Sequence, residues 1–305
     1  MRTLKLGASE LQVPVVAVGC MRIGEMNISD IRRFVDTALE RGANFFDHAD
    51  IYGGGSCETK FAETLKEMKI RREDVLIQTK CGIRSGSFDF SKEHILASVD
   101  GSLKRLETDY VDALLLHRPD TLMEPEEVAE AFEKLFASGK VRHFGVSNQN
   151  PGHMRLLKKF VKRPLVINQL QFSPVNTGMI DSGLNVNMEN PPSVDRDGGI
   201  LEYCRLENVT IQPWSPFQYG FFEGPYIGSK KFPELNKKLY ELAEKYGASP
   251  EAIVVAWILK HPARMQPVVG TTNPKRLRGI AKASEITLSR EEWYSIYISA
   301  GNVLP

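Results

Sequence analysis

Short apolar runs rich in β-branched and aromatic residues recur along the chain, separated by polar stretches whose apolar positions repeat at helical spacing. The runs fall at residues 15–18, 43–46, 75–80, 111–116, 141–146, 165–168, 210–213 and 266–269, each with the length and character of a buried strand. Amphipathic stretches at 31–41, 61–68, 95–106, 125–138, 153–160, 201–207, 234–246 and 250–260 predict helices between them. This alternation predicts a (β/α)8 TIM barrel, a single domain over residues 1–305, rather than a Rossmann sheet followed by a second domain. Ahead of the first unit, TLKL, Gly7-Ala8-Ser9 and LQVP predict an N-terminal β-hairpin cap. Ser29-Asp30 is expected to open one helix. Ser249-Pro250-Glu251 places proline and an acid in the first turn of another. The polar segment 176–199, with Gly178, Gly183, Pro191 and Pro192, lacks strong periodicity and is expected to be a loop that shapes a pocket at the barrel mouth.

Composition narrows the function classes. The 305 residues are 42% hydrophobic and 25% charged, as in an ordinary soluble globular protein. With 39 Lys+Arg against 38 Asp+Glu, no global field favours nucleic acid or an acidic membrane as partner, so any anion site must be local. Cys20, Cys57, Cys81 and Cys204 are scattered without a CxxC pair, which points to neither zinc nor a disulfide framework, and no metal is expected. The N-terminus lacks an apolar signal-like core, and no stretch approaches the ~18 apolar residues of a membrane span. The expectation is a cytoplasmic protein with reduced thiols, a monomer or weak oligomer acting on a small molecule.

Candidate chemistry gathers where strands end, since a parallel barrel points its C-terminal strand ends into one shared mouth. Asp47 closes the second strand, Lys80 the third and His117 the fourth, with Tyr52 just beyond Asp47. Singly, Asp47 could cap a helix, Lys80 snorkel, His117 be a satisfied core histidine and Tyr52 pack a loop. On three adjacent strands they form a proton-donor site. An ammonium beside Tyr52 is expected to lower the phenol pKa from its usual value of about 10, with Asp47 holding the ammonium charged. His48 should point away by strand alternation and is expected to be structural. The Gly53-Gly54-Gly55 run lacks the dinucleotide fingerprint arrangement and is read as slack that lets Tyr52 turn towards Lys80.

FFDHADIYG, VLIQTK, LLLHRPD, GVSNQN, VINQLQFSP, IQPWSP and PVVGTTNPKRL, in this order, resemble the aldo-keto reductase superfamily over essentially the whole chain. LLLHRPD and GMIDSGLN are most similar to a bacterial branch. The resemblance implies a (β/α)8 barrel and NADPH-dependent reduction of an aldehyde or ketone. Tyr52 would be the general acid, Lys80 and Asp47 would tune it, and His117 would orient the carbonyl. It further implies that Ser147, Asn148 and Gln169 pair with the nicotinamide carboxamide while Trp214 packs behind the ring, with Cys20 and Met21 nearby. Ser215, Pro216, Phe217, Gln218 and Gly220 would suit the pyrophosphate. Gly270, Thr271, Thr272, Asn273 and Arg276, at a helix N-terminus, would take the adenosine 2′-phosphate, hence NADP(H). The chain departs from the family pattern at Gly270, where many members carry Lys, at Ile280, where many carry Asn, and at Gln171, where an acid is frequent.

Met21, Arg22, Arg118, Trp214, Tyr219 and the 176–199 segment are candidate substrate walls. Arg22 and Arg118 would suit a carboxylate or phosphate on the substrate, or pair with Glu25 and Asp120. Two other functions stay open: a Schiff-base aldolase with Lys80 as nucleophile, and a nucleotide-binding regulatory barrel that senses NADPH.

Overall fold

The computed structural model describes residues 1–305. Eight parallel strands close into a barrel in sequential order: β1 (Ala17–Gly19), β2 (Phe45–Asp47), β3 (Leu76–Cys81), β4 (Val111–Leu116), β5 (Val141–Ser147), β6 (Leu165–Gln171), β7 (Thr210–Trp214) and β8 (Val268–Val269). The barrel expected from the alternation is therefore observed. Eleven helices surround it: α1 (Ile28–Glu40), α2 (Ser56–Glu67), α3 (Lys92–Arg105), α4 (Pro125–Ala137), α5 (Pro151–Phe160), α6 (Gly178–Leu184), α7 (Ile200–Leu206), α8 (Pro233–Lys245), α9 (Pro250–Lys260), α10 (Pro274–Ala281) and α11 (Arg290–Ser299). No helix is long and apolar enough to cross a membrane.

The hairpin Thr3–Lys5 with Gln12–Pro14 pairs antiparallel, as expected. Its Val13 and the flanking Leu6 join Ala17, Phe45, Ala113, Val166 and Val268 in a cluster separate from the main core. Gly7 runs so close to the sixth strand that an added Cβ would meet the Val166 carbonyl at 2.4 Å. The main core lies mostly between strands and helices and includes Phe34, Phe46, Phe132 and Trp257.

The helix boundaries carry two corrections. α1 begins at Ile28, and its cap is Asn27, whose side chain accepts from the Asp30 amide, rather than Ser29-Asp30. α9 starts as expected, with Ser249 accepting from the Ala252 amide and Pro250 in the first turn. The 176–199 segment is not all loop: it contains α6 and a short turn of helix at Pro191–Ser193. Asp181 of α6 accepts from the Tyr297 hydroxyl at 2.7 Å, which ties the segment to α11. Two small hairpins project beyond the strands, Ile83–Arg84 with Ser87–Phe88 after β3 and Gln218–Tyr219 with Gly224–Pro225 after β7.

Candidate active site

β2 and β3 are register neighbours, with Asp47 opposite Gln78, and this pairing brings Asp47 to Lys80 two residues further along β3. Lys80 is fully buried, and its Nζ donates to Asp47 Oδ2 at 2.8 Å, to the His48 carbonyl at 2.8 Å and to the Tyr52 hydroxyl at 3.1 Å. Three acceptors match the three hydrogens of an ammonium. Burial alone would lower the Lys80 pKa, but Asp47 and Tyr52 together hold it above the usual lysine value. Lys80 is therefore a charged group sealed beneath the mouth.

The Tyr52 pKa is a correction to the sequence expectation. Burial raises it above 10, and the Lys80 charge offsets that rise only in part while Asp47 adds to it. The phenol is thus protonated across the neutral range. His117 meets the Tyr52 ring edge-on with centroids 5.9 Å apart. Burial, then the charges of Lys80 and Arg118, push its pKa well below 6.5, so the ring is a neutral imidazole. His48 lies against Phe61 at 4.7 Å between centroids, away from this group. Its pKa is pulled down to about 3 by burial and then by Lys80.

Asp47 also anchors a chain of buried amides. Gln78 Nε2 and Gln169 Nε2 both donate to Asp47 Oδ1, at 2.5 and 3.1 Å, and both donate to Gln212 Oε1, at 2.8 and 3.0 Å. Gln212 Nε2 donates to Gln266 Oε1 at 2.8 Å, and Gln266 Nε2 to the Pro14 carbonyl at 2.7 Å. Two amide donors thus stabilise the carboxylate that faces Lys80.

Tyr52, Asp47 and His117 open onto a cavity of about 500 Å³. Ser147, Asn148, Gln169 and Trp214, at the ends of β5, β6 and β7, line it as well. They are already linked: Trp214 Nε1 donates to Asn148 Oδ1 at 3.1 Å, Asn148 Nδ2 to Ser147 Oγ at 2.8 Å, and Ser147 Oγ to the Gln169 carbonyl at 3.0 Å. Gln169 spends Nε2 inside the barrel, which leaves its Oε1 as an acceptor for an incoming amide. Ser215, Pro216, Phe217 and Gln218 continue the lining, and Gly270, Thr271 and Arg276 close the far end. There Arg276 faces Glu251 at 3.2 Å, and Glu251 lines the cavity too.

The sequence profile of the Aldo/keto reductase family matches residues 15–299. The chain belongs to the aldo/keto reductase family. It is 36% identical to the uncharacterized oxidoreductase YcsN of Bacillus subtilis, with 95% of each chain covered. It is 33% identical to a 6-dehydroglucose reductase of Agrobacterium fabrum, with 96% of each covered. A crystal structure of the thermostable aldo-keto reductase Tm1743 with the inhibitor epalrestat superposes with a TM-score of 0.80 at 27% identity, covering 98% of this chain and 100% of that one. As a member of the aldo/keto reductase family the chain is an oxidoreductase of small carbonyl compounds.

Some residues expected at the site lie elsewhere. Cys20 is fully buried, its thiol directed at the Val18 carbonyl, and does not line the cavity. Gly220 sits in the hairpin turn after β7, where its carbonyl accepts from Gln171 Nε2 at 3.0 Å. Thr272 and Asn273 are outside the lining. Asn273 instead caps α10, accepting from the amides of Lys275 and Arg276 at 2.9 and 3.2 Å, so these two N–H groups are committed before any anion arrives. The 176–199 segment contributes nothing to the cavity, and neither does Tyr219. The hairpins do: Ile83 from one, Phe221, Phe222 and Pro225 from the other. The Phe222 ring lies 6.0 Å from Trp214 between centroids, and both Phe rings are substantially exposed. Phe221 and Phe222 belong to no periodic pattern, and the one signal that marks them is two adjacent aromatics beside Gly220. Glu251 was legible only as a first-turn acid of α9.

Proposed function

We propose that the protein reduces an aldehyde or ketone to an alcohol, with NADPH as reductant and Tyr52 as proton donor. The observation that supports this reading is the contact of Tyr52 with a fully buried Lys80 that is itself paired with Asp47. NADPH, when bound, supplies the hydride. The oxygen of the carbonyl then gains charge, and it is met by the Tyr52 hydroxyl on one side and the His117 imidazole on the other. Lys80 stabilises the tyrosinate left when the proton moves, and the Asp47 carboxylate balances the charge of that ammonium.

Gln169 Oε1 and Asn148 are suited to hold the carboxamide, and Trp214 to pack against the nicotinamide ring. Arg276 and Thr271 are suited to the 2′-phosphate. The aldolase alternative is disfavoured because a Schiff base needs a neutral, reachable amine, whereas Lys80 is charged, buried and hydrogen-bonded three times.

The test is Tyr52→Phe. Carbonyl reduction should fall by about 100-fold or more, the usual scale for losing a general acid, while NADPH still binds in a fluorescence titration. Unchanged turnover in this variant rules the mechanism out. Tight NADPH binding by the unaltered protein, without turnover of any aldehyde or ketone, favours the regulatory barrel instead.

A further inference from the structure

Arg118 follows His117 and lines the cavity together with Tyr52 and Trp214. Its guanidinium carbon lies 5.7 Å from the Trp214 ring centroid and 5.8 Å from that of Phe221. The acid two residues on is not its partner: Asp120 accepts from the amides of Phe90 and Leu122, each at 2.9 Å. The carboxylates that line the cavity are committed as well, Asp47 to Lys80 and Glu251 to Arg276. Arg118 consequently makes no ion pair and no hydrogen bond within the protein. Arg22, also in the lining, is not bridged to Glu25 or to any other acid.

The Trp214 and Phe221 rings attract the guanidinium weakly through their faces, but no anion balances a charge that is half withdrawn from water. Burial pulls the Arg118 pKa below the usual arginine value, with Tyr52 partly offsetting the shift. The charge is fixed one residue from the imidazole assigned to the carbonyl oxygen, and its planar fork matches a carboxylate.

We propose that Arg118 anchors the substrate by an anionic group, and that the substrates are aldehydes or ketones bearing a carboxylate a few bonds from the carbonyl. This rests on the reductase reading above and adds the substrate class to it. Arg118 takes no part in hydride or proton transfer. It selects and positions.

The experiment compares NADPH consumption with succinic semialdehyde and with its neutral methyl ester. The acid should be preferred in kcat/KM by about tenfold or more, the scale of one charge-assisted hydrogen bond. Arg118→Gln should lower that acid-over-ester ratio by about 10- to 100-fold, chiefly through KM for the acid, and Arg118→Lys should give an intermediate ratio. An ester used as well as the acid, a ratio unmoved by Arg118→Gln, or a neutral polyhydroxy aldehyde preferred to both overturns the proposal. If no carbonyl compound is reduced, the reductase reading fails, and the anchor is still measured by calorimetry with butanoate and butanamide. Preference for butanoate that Arg118→Gln abolishes supports it, and absence of that preference overturns it.

Discussion

Tyr52 carries a hydroxyl that burial makes reluctant to ionise and that the ammonium 3.1 Å away makes less so. A donor works only while protonated, and a raised pKa moves its loss to higher pH. His117, lowered well below 6.5, has no proton to lose near neutrality. The expected profile of kcat/KM for carbonyl reduction is therefore flat from about pH 6 to pH 10, with the alkaline fall displaced above the ordinary phenol value of about 10. A fall in activity centred near pH 6.5 would show instead that His117 titrates in the working range. Initial rates across buffers of constant ionic strength decide it. The sequence made these residues legible as polar groups closing apolar strands. It did not show the direction of the Tyr52 shift, which depends on how far the folded chain withdraws the phenol from water against Lys80 and His117.

Tyr52 is presented by the segment between β2 and α2. Gly53, Gly54 and Gly55 all take positive φ, at 57°, 61° and 93°, where an L side chain is strained. At Gly55 an added Cβ would also lie 2.7 Å from Arg105 Cδ. Arg105 of α3 reaches this point because its Nε donates to Glu58 Oε2 at 2.7 Å, and Glu58 is fully buried, accepting also from Thr79 at 2.7 Å. α2, α3 and β3 are thus stapled together behind Tyr52. Arg105→Met should destabilise the fold by about 3 kcal/mol, because it leaves a buried carboxylate unpaired. Adding Glu58→Gln should recover much of the loss, and urea unfolding of the two variants beside the unaltered protein reads both effects. The strand–helix alternation was legible because buried strands and amphipathic helices differ in period. α6 was not, being seven residues long with glycine in its first position and no side-chain cap. α11 lacks a clean apolar stripe, yet Ser289 and Glu292 form a reciprocal capping box, a signal that was present in the sequence.

Across the whole molecule, the cavity runs from Tyr52 to Arg276 and so joins the second strand to the helix after the eighth. At the Arg276 end the chain has Gly270 and a cavity-lining Glu251 paired with Arg276, so the proposed 2′-phosphate would meet a weaker positive charge there. Arg276→Ala is expected to weaken NADPH binding by about tenfold or more and NADH far less, whereas Glu251→Gln should shift preference towards NADPH by freeing Arg276. Equal losses for both nucleotides in Arg276→Ala would remove the phosphate from that position. The barrel axis holds a different kind of link. The amides of Gln78, Gln169, Gln212 and Gln266 lie between the Asp47 carboxylate and the Pro14 carbonyl, and neither of these termini can donate. Gln266 turns its nitrogen to Pro14 and Gln212 turns its nitrogen to Gln266, while Gln78 and Gln169 each donate both ways from one nitrogen, so none can flip alone without setting two oxygens or two N–H groups face to face. The column is an orientational lock, so Pro14 of the N-terminal hairpin also dictates which way the dipoles point beneath Asp47 and Lys80.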